Sequence, residues 1–211
     1  LKTAELHGDL TQTMRLAALE SFRTGEATHL VATDVAARGL DIAGVDAVVS
    51  FDAPRTLASY LHRVGRTARA GKKGEGLLLL APHEEFFTRQ LKDLPITAAP
   101  AAVDPDVLNN VNNALRRVDN RTKEQAYVAW LGFYNSSTGK MGWDKRRLVE
   151  EGNRYALEIL GCAGLPGILK KTVGMMGLKG VPGLNIQSEL PGGRGGGGGG
   201  GRGGGGGRGR R

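Results

Sequence analysis

His29-Leu30-Val31-Ala32-Thr33-Asp34-Val35-Ala36-Ala37-Arg38-Gly39-Leu40-Asp41 reads as a short apolar strand, His29–Ala32, that leaves into a loop carrying a glycine and, two residues on, a carboxylate. The neighbouring segments decide what kind of sheet it joins. Upstream, Ala4–Leu6 reads as the end of a strand, followed by a His7-Gly8-Asp9 loop. Thr11–Thr24 has no internal Gly or Pro and reads as a helix ended by Gly25. Downstream, Ala47–Phe51 is another strand, Thr56–Arg66 a helix, Gly76–Leu80 a buried strand and Glu84–Lys92 a helix. Short apolar strands alternating with helices predict an α/β fold, a parallel sheet with helices on both faces. In such sheets ligands gather on loops at the carboxyl ends of the strands.

Beyond this unit the pattern changes. Pro95–Pro100 and Pro105 mark a linker. Val107–Arg117, Lys123–Asn135, Lys145–Leu160 and Ile168–Met176 read as helices with no strand pattern between them, a small all-α extension. Residues 192–211 hold 15 Gly and 5 Arg and nothing else, so they cannot bury a core and read as a disordered tail. The predicted organisation is an α/β unit over residues 1–95, a linker over 96–106, the helical extension over 107–186 and the tail over 187–211. Of the net charge of +8, residues 1–95 contribute nothing, with 12 Lys/Arg against 12 Asp/Glu. The basic character lies in the second half, as expected of a neutral globular unit followed by polyanion-binding appendages.

Apolar runs such as Leu77–Ala81 are far short of the ~20 residues that span a bilayer, so no membrane partner is expected. The single cysteine, Cys162, excludes an intrachain disulfide framework and a cysteine-rich zinc site and suits a reducing compartment. It reads as a small buried hydrophobe. The chain starts at Leu1 rather than Met, which points to a piece of a longer protein.

Three stretches carry chemistry. In the quoted loop, Gly39 lets the backbone approach a ligand and Asp41 can accept hydrogen bonds from a ribose; an ordinary turn capped by Asp41 would read the same. In Tyr60-Leu61-His62-Arg63-Val64-Gly65-Arg66-Thr67-Ala68-Arg69, His62, Arg66 and Arg69 fall on one helical stripe, with Leu57, Tyr60, Leu61, Val64 and Ala68 opposite. Clustered guanidinium groups with no glutamate at helical spacing need an anion, and their planar fork matches phosphate. A solvated basic face is the plainer alternative. In His7-Gly8-Asp9-Leu10-Thr11-Gln12-Thr13-Met14-Arg15, Gln12 and Arg15 sit in the first turn of a helix, where free N–H groups favour a phosphate.

Together, in this order within about 65 residues, the three stretches resemble the second RecA-like domain of the DEAD-box RNA helicases over residues 1–92. Ala68 stands where the family usually has glycine. The resemblance implies arginine fingers on the γ-phosphate at Arg66 and Arg69, and a ribose contact at Asp41 with Gly39. It implies interdomain coupling at Arg38, His62 and Arg63, and RNA backbone contacts at Gln12, Arg15 and Thr33. The cofactor implied is ATP with magnesium, the metal being held by a first RecA-like domain that this chain lacks. No Gly-x-x-x-x-Gly-Lys-Ser/Thr loop and no Asp-Glu-Ala-Asp segment is present, so this chain alone is expected to be inactive as an ATPase, and no metal site is expected in it.

Ala126–Asn135 and Lys179–Leu184 resemble the C-terminal extension of a DEAD-box subgroup of plant helicases and the fungal mitochondrial splicing-associated helicase. In that subgroup the extension packs on the second domain and bends bound RNA. Tyr127, Trp130, Leu131 and Tyr134, at helical spacing, read as core. Trp143, beside Lys145, Arg146 and Arg147, reads equally as core or as a base-stacking residue, and Arg116 and Arg117 as further backbone contacts. Arg194, Arg202, Arg208, Arg210 and Arg211 make the tail a nonspecific, salt-dependent RNA-binding segment. The function implied is RNA-stimulated ATP hydrolysis coupled to local duplex unwinding, with RNA and the first RecA-like domain as partners. A DNA-acting superfamily-two motor and a non-catalytic RNA chaperone with a helicase-like fold are the alternatives. The preference for RNA over DNA and the sequence upstream of Leu1 discriminate them.

Overall fold

In the first of two units, Leu1–Ala101, strand and helix alternate. The structure, a computed structural model, describes residues 1–34, 42, 44–69, 71–99 and 104–188. Strand β1 (Thr3–Leu6) pairs in parallel with β2 (His29–Ala32), from Thr3 opposite His29 to Leu6 opposite Ala32. Helix α1 (Gln12–Arg23) connects them. It starts where Thr11 Oγ1 accepts the Met14 N–H at 3.3 Å, and Gly25 follows its end in the left-handed region at φ +78°.

Strand β3 (Ala47–Phe51) pairs in parallel with β4 (Glu75–Leu79), Val49 opposite Leu77 and Phe51 opposite Leu79. Helix α2 (Leu57–Val64) crosses between them, capped by Thr56, whose hydroxyl accepts the Ser59 N–H at 3.1 Å. The sequence predicts this helix through Arg66. It stops at Val64 because Gly65 caps it and the Thr67 hydroxyl turns out of the helix to donate to the Val45 carbonyl. Gly74 lies so close to that turn that a Cβ there would sit 2.1 Å from Thr67 Oγ1.

Side chains alternate across β3 and β4 as the pleat demands. Ser50 is buried and Leu78 packs against a core of Ala53, Tyr60, Phe87 and Leu91, in which the Tyr60 and Phe87 rings meet edge to face at 6.3 Å. Their neighbours Val49, Phe51, Leu77 and Leu79 are exposed among the described residues. The helix predicted over Glu84–Lys92 runs over Pro82–Gln90 and is a 3-10 helix. Three residues per turn stack Glu84 above Phe87, and both are fully buried. The Glu84 carboxylate accepts the N–H groups of Ala53 at 2.8 Å and Ala81 at 2.9 Å, which pins the element to the ends of β3 and β4.

In the second unit, Ala102–Arg211, caps start two of the helices upstream of their predicted starts. Helix α3 (Pro105–Arg117) begins at Pro105 because Asp104 caps it and proline costs nothing in a first turn. Helix α4 (Asn120–Asn135) begins under Asp119, which binds the Thr122 N–H and hydroxyl at 2.9 and 2.7 Å. After a single turn, α5 (Thr138–Met141), helix α6 (Lys145–Arg154) starts under Asp144 and widens into a π-helical turn over Tyr155–Ile159.

The core of this unit joins Tyr127, Leu131 and Tyr134 of α4 to Leu148 and Val149 of α6 and to Ile168, Val173 and Leu178 beyond. Helices α4 and α6 meet at Gly152, where a Cβ would lie 2.6 Å from Leu131 Cδ2 and 3.3 Å from Trp130 Cζ3. The prediction of a purely helical extension is corrected by two three-residue strands, β5 (Gly167–Leu169) and β6 (Asn185–Gln187), paired in parallel. Ile168, read as helical in the sequence, belongs to β5, and helix α7 (Lys170–Met175) starts after it. Strands of three residues are too short to show alternation. A Cβ at Gly167 would fall 2.5 Å from the Gln187 amide carbon, so the Gln187 side chain would have to swing aside.

Candidate functional site

The carboxyl ends of β1, β2 and β3 bring several of the predicted residues to one edge. The Thr33 N–H donates to the Leu6 carbonyl at 3.1 Å, one step past the β1–β2 ladder, so Thr33 stands beside the loop that enters α1. Gln12 is the first residue of α1 and is exposed; Arg15 lies one turn in and is half-buried. Gln12, Arg15 and Thr33 therefore share the edge at which a parallel sheet presents ligand loops.

On α2 and the turn after it, His62 is exposed and Arg66 and Arg69 are half-buried. Arg66 Nε donates to the His62 carbonyl at 3.1 Å and Arg69 Nε to the Gly65 carbonyl at 2.8 Å. Each guanidinium is thus braced against the backbone four residues before it. The single helical stripe predicted for His62, Arg66 and Arg69 is corrected, because the helix has ended before Arg66. Ala68, at φ +55°, turns the chain between the two arginines. The predicted apolar face is narrower too: Tyr60 is buried, whereas Leu61 and Ala68 are exposed.

Arg63 lies among these residues but points elsewhere. Its Nε and Nη2 donate to Asp34 Oδ1 and Oδ2 at 2.6 and 2.7 Å, and its Nη1 to Ser50 Oγ at 2.6 Å. The Phe51 and Asp52 carbonyls lie 3.4 Å from the same Nη1. Asp52, at φ +63°, closes this edge after β3. Its carboxyl is pushed up to about 6, chiefly by burial and then by the Glu84 carboxylate, with Arg63 pulling the other way. Sequence reasoning missed Asp34, Ser50, Asp52 and Glu84 as parts of this edge. One signal was present: Ser50 is a polar residue in the middle of an otherwise apolar strand.

Arg38, Gly39 and Asp41 fall outside the described residues, as do Arg194, Arg202, Arg208, Arg210 and Arg211. Among the described residues no group of three or more His, Cys, Asp or Glu side chains is placed to hold a metal ion. None of the described helices is long and apolar enough to cross a membrane.

In the second unit Tyr127, Leu131 and Tyr134 are buried. Trp130 stacks on Tyr155 at 5.5 Å, and Trp143 packs 6.4 Å from Trp130 against the same core. Of the basic residues read as backbone contacts, Arg116 and Arg117 are exposed on α3. Lys145 binds the Asn135 amide oxygen at 2.6 Å, Arg146 pairs with Glu150 at 3.2 Å and Arg147 with Glu151.

Comparison with known proteins places this architecture. Residues 1–71 match the family described as the helicase conserved C-terminal domain. DEAD-box ATP-dependent RNA helicase 31 of Arabidopsis thaliana is 46% identical over 185 residues, 87% of this chain and 26% of that protein. The mitochondrial ATP-dependent RNA helicase MSS116 of Phaeosphaeria nodorum is 41% identical over 187 residues, 87% of this chain and 34% of that protein. The chain thus spans between a quarter and about a third of these relatives. The solved structure of Mss116p DEAD-box helicase domain 2 bound to an RNA duplex matches with a TM-score of 0.70 at 25% identity, over 89% of this chain and 75% of that one. That of Mss116p bound to ssRNA and AMP-PNP matches at 0.70 and 26%, over 89% of this chain and 38% of that one. With the parallel pairs and the helical extension already in place, these likenesses settle its kinship: the chain belongs to the DEAD-box RNA helicases, as a second RecA-like domain with the C-terminal extension of the plant and Mss116-like subgroup.

Proposed function

We propose that the full-length protein is an ATP-dependent RNA helicase that remodels short RNA duplexes, and that this chain supplies the half of its machinery facing the γ-phosphate and one RNA strand. The observation that carries the proposal is the gathering of Gln12, Arg15, Thr33 and the Arg63–Arg69 turn near the carboxyl ends of parallel strands. One relative, Mss116p, was solved on ssRNA in two structures, with AMP-PNP and with UDP-BeF, which supports a nucleotide-dependent cycle.

In this cycle Arg66 and Arg69 donate to the γ-phosphate. Analogous fingers contribute about 10³–10⁵ in rate by stabilising transition-state charge. Gly39 and Asp41 hold the ribose. Arg38 and His62 couple this domain to the first, and Arg63 serves that coupling from inside the unit, through Asp34. Gln12, Arg15 and Thr33 hold the sugar–phosphate backbone, which positions a strand without reading its sequence. The five tail arginines raise the local RNA concentration. ATP brings magnesium, which the first RecA-like domain holds and which neutralises phosphate charge.

The domain boundaries proposed are a partial RecA-like domain over residues 1–95, a linker over 96–106, the extension over 107–186 and the tail over 187–211. ATP turnover of the full-length protein with saturating RNA, with DNA of the same sequence and with neither is the deciding measurement. Stimulation by RNA alone is expected. Equal stimulation by DNA, or none by either, would sink the reading. The isolated 211-residue chain is expected to bind RNA and hydrolyse no ATP.

A further inference from the structure

Arg63 reaches from α2 to the ends of both parallel pairs of the first unit. Asp34 follows Thr33 at the end of β2, and Ser50 lies in β3. A guanidinium that holds both oxygens of a carboxylate and a hydroxyl, at 2.6, 2.7 and 2.6 Å, has its plane fixed by three points. Stability alone does not explain the arrangement, since the carboxylate side is 42% exposed and water screens part of the attraction to the arginine, whose side chain is 20% exposed. Nor does packing explain Ser50, 2% exposed in a strand otherwise made of Ala, Val and Phe. A buried hydroxyl is costly unless it is bonded, and this one is bonded to Arg63.

What the three groups do fix is a relative position. Thr33, next to Asp34, is the RNA contact. His62, next to Arg63, has its carbonyl bound by the Nε of Arg66, the γ-phosphate contact. We infer that Asp34 and Ser50 are positioning residues which, through Arg63, lock the RNA-contacting end of β2 to the turn carrying Arg66, so that RNA bound at one sets the phosphate geometry at the other. This rests on the helicase reading above, and it assigns to Asp34 and Ser50 a role in how RNA stimulates turnover rather than in binding either ligand.

The test uses the full-length protein, with ATP turnover measured without RNA and with saturating RNA. Asp34→Asn keeps the shape and removes the charge. RNA-stimulated kcat is expected to fall at least about tenfold, the scale of one lost charge-assisted hydrogen bond. Turnover without RNA, the KM for ATP and nucleotide-free RNA affinity are expected to stay within about twofold to threefold. Combining it with Arg63→Lys, which keeps the charge but cannot fork, should lower stimulated kcat no further than the worse single change. Ser50→Ala should lower the ratio of stimulated to basal turnover about threefold, with Ser50→Thr restoring it.

Parallel loss of basal and stimulated turnover in Asp34→Asn, together with a lowered melting temperature, would make the pair a scaffold and overturn the inference. So would additive effects in the double variant, or an unchanged ratio in both Asp34→Asn and Ser50→Ala. A wild-type protein without RNA stimulation would remove the helicase reading and this inference with it. Normal wild-type stimulation with unaffected variants would remove the inference alone.

Discussion

Ten buried side chains from α4, α6 and the segments after them close into one core in the second unit, whereas the described core of the first unit holds four. The first unit instead places polar groups at buried positions: Ser50 under Arg63, Thr67 on the Val45 carbonyl, and Glu84 across the ends of β3 and β4. It also leaves Val49, Phe51, Leu77 and Leu79 exposed. One unit closes a large core of its own, and the described part of the other sets polar side chains at the carboxyl ends of its strands. Changes in the second should therefore act on stability, and changes in the first on chemistry or on pH response.

The largest effect belongs to the first unit. In the full-length protein Arg66→Ala is expected to lower the rate of ATP hydrolysis at least about 10³-fold, with nucleotide-free RNA affinity nearly unchanged. Single-turnover kinetics and an RNA titration check both halves. A loss of nucleotide-free RNA binding with hydrolysis intact would make the turn a solvated basic face after all.

In the second unit the corresponding weak point is the closest helix contact. Gly152→Ala forces a methyl against Leu131, 2.6 Å away, and is expected to cost about 2 kcal/mol, read by thermal or denaturant unfolding. Tyr127→Phe should cost about 1 kcal/mol, because it strands the Asn153 oxygen that the phenol binds at 2.6 Å. Neither change should alter turnover per folded molecule. If either lowered it, the division between a packed unit and an aimed one would fail.

The fold was legible where local rules act alone. β2 and β3 have their predicted bounds, and α1 and α2 start one residue after the predicted Thr11 and Thr56, which cap them. It was not legible where a distant partner decides. Glu84 selects a 3-10 turn through Ala53, thirty-one residues away. Asp104 turns Pro105 from a linker mark into a helix start. The candidate site follows the same division. Its arginines, Gln12 and Thr33 could be named from the sequence, but what Arg63 holds depends on β2 and β3 ending near one another, which no local pattern encodes.

A pH titration separates the units further. The Asp52 carboxyl is raised to about 6, so the folded state takes up its proton more readily than the unfolded chain, whose carboxyl titrates at the ordinary 3.8. Ionised Asp52 therefore costs stability above about pH 6, and that cost disappears as the pH falls toward 4. Asp52→Asn is expected to stabilise the first unit by about 1 kcal/mol at pH 8, once solvent screening of a half-exposed group is allowed for, and by about half as much at pH 5. Asparagine tolerates φ +63° at every pH, so any gain from the backbone is a constant offset and the pH-dependent part is diagnostic. A gain identical at both pH values would remove the carboxylate cluster as its cause.

Ala68 gives the smallest and most local test. It sits at φ +55°, where an L side chain is strained by about 1–2 kcal/mol and glycine is not. Glycine in turn loses about 0.4–1 kcal/mol more chain entropy on folding than alanine does. The two terms leave Ala68→Gly a net stabilisation of about 0.5 kcal/mol, visible in denaturant unfolding of the full-length protein. The same change touches function, because residue 68 joins Arg66 to Arg69. Arg69 Nε is held by the Gly65 carbonyl at 2.8 Å across that turn, so the arginine geometry depends on the left-handed conformation being kept. Glycine keeps it, and RNA-stimulated kcat should stay within about twofold of wild type. Ala68→Val, whose branched side chain disfavours φ above zero, should instead lower both stability and kcat. If Ala68→Val left turnover intact, the turn would not set the finger geometry, and Arg66 would be placed by contacts such as its bond to the His62 carbonyl.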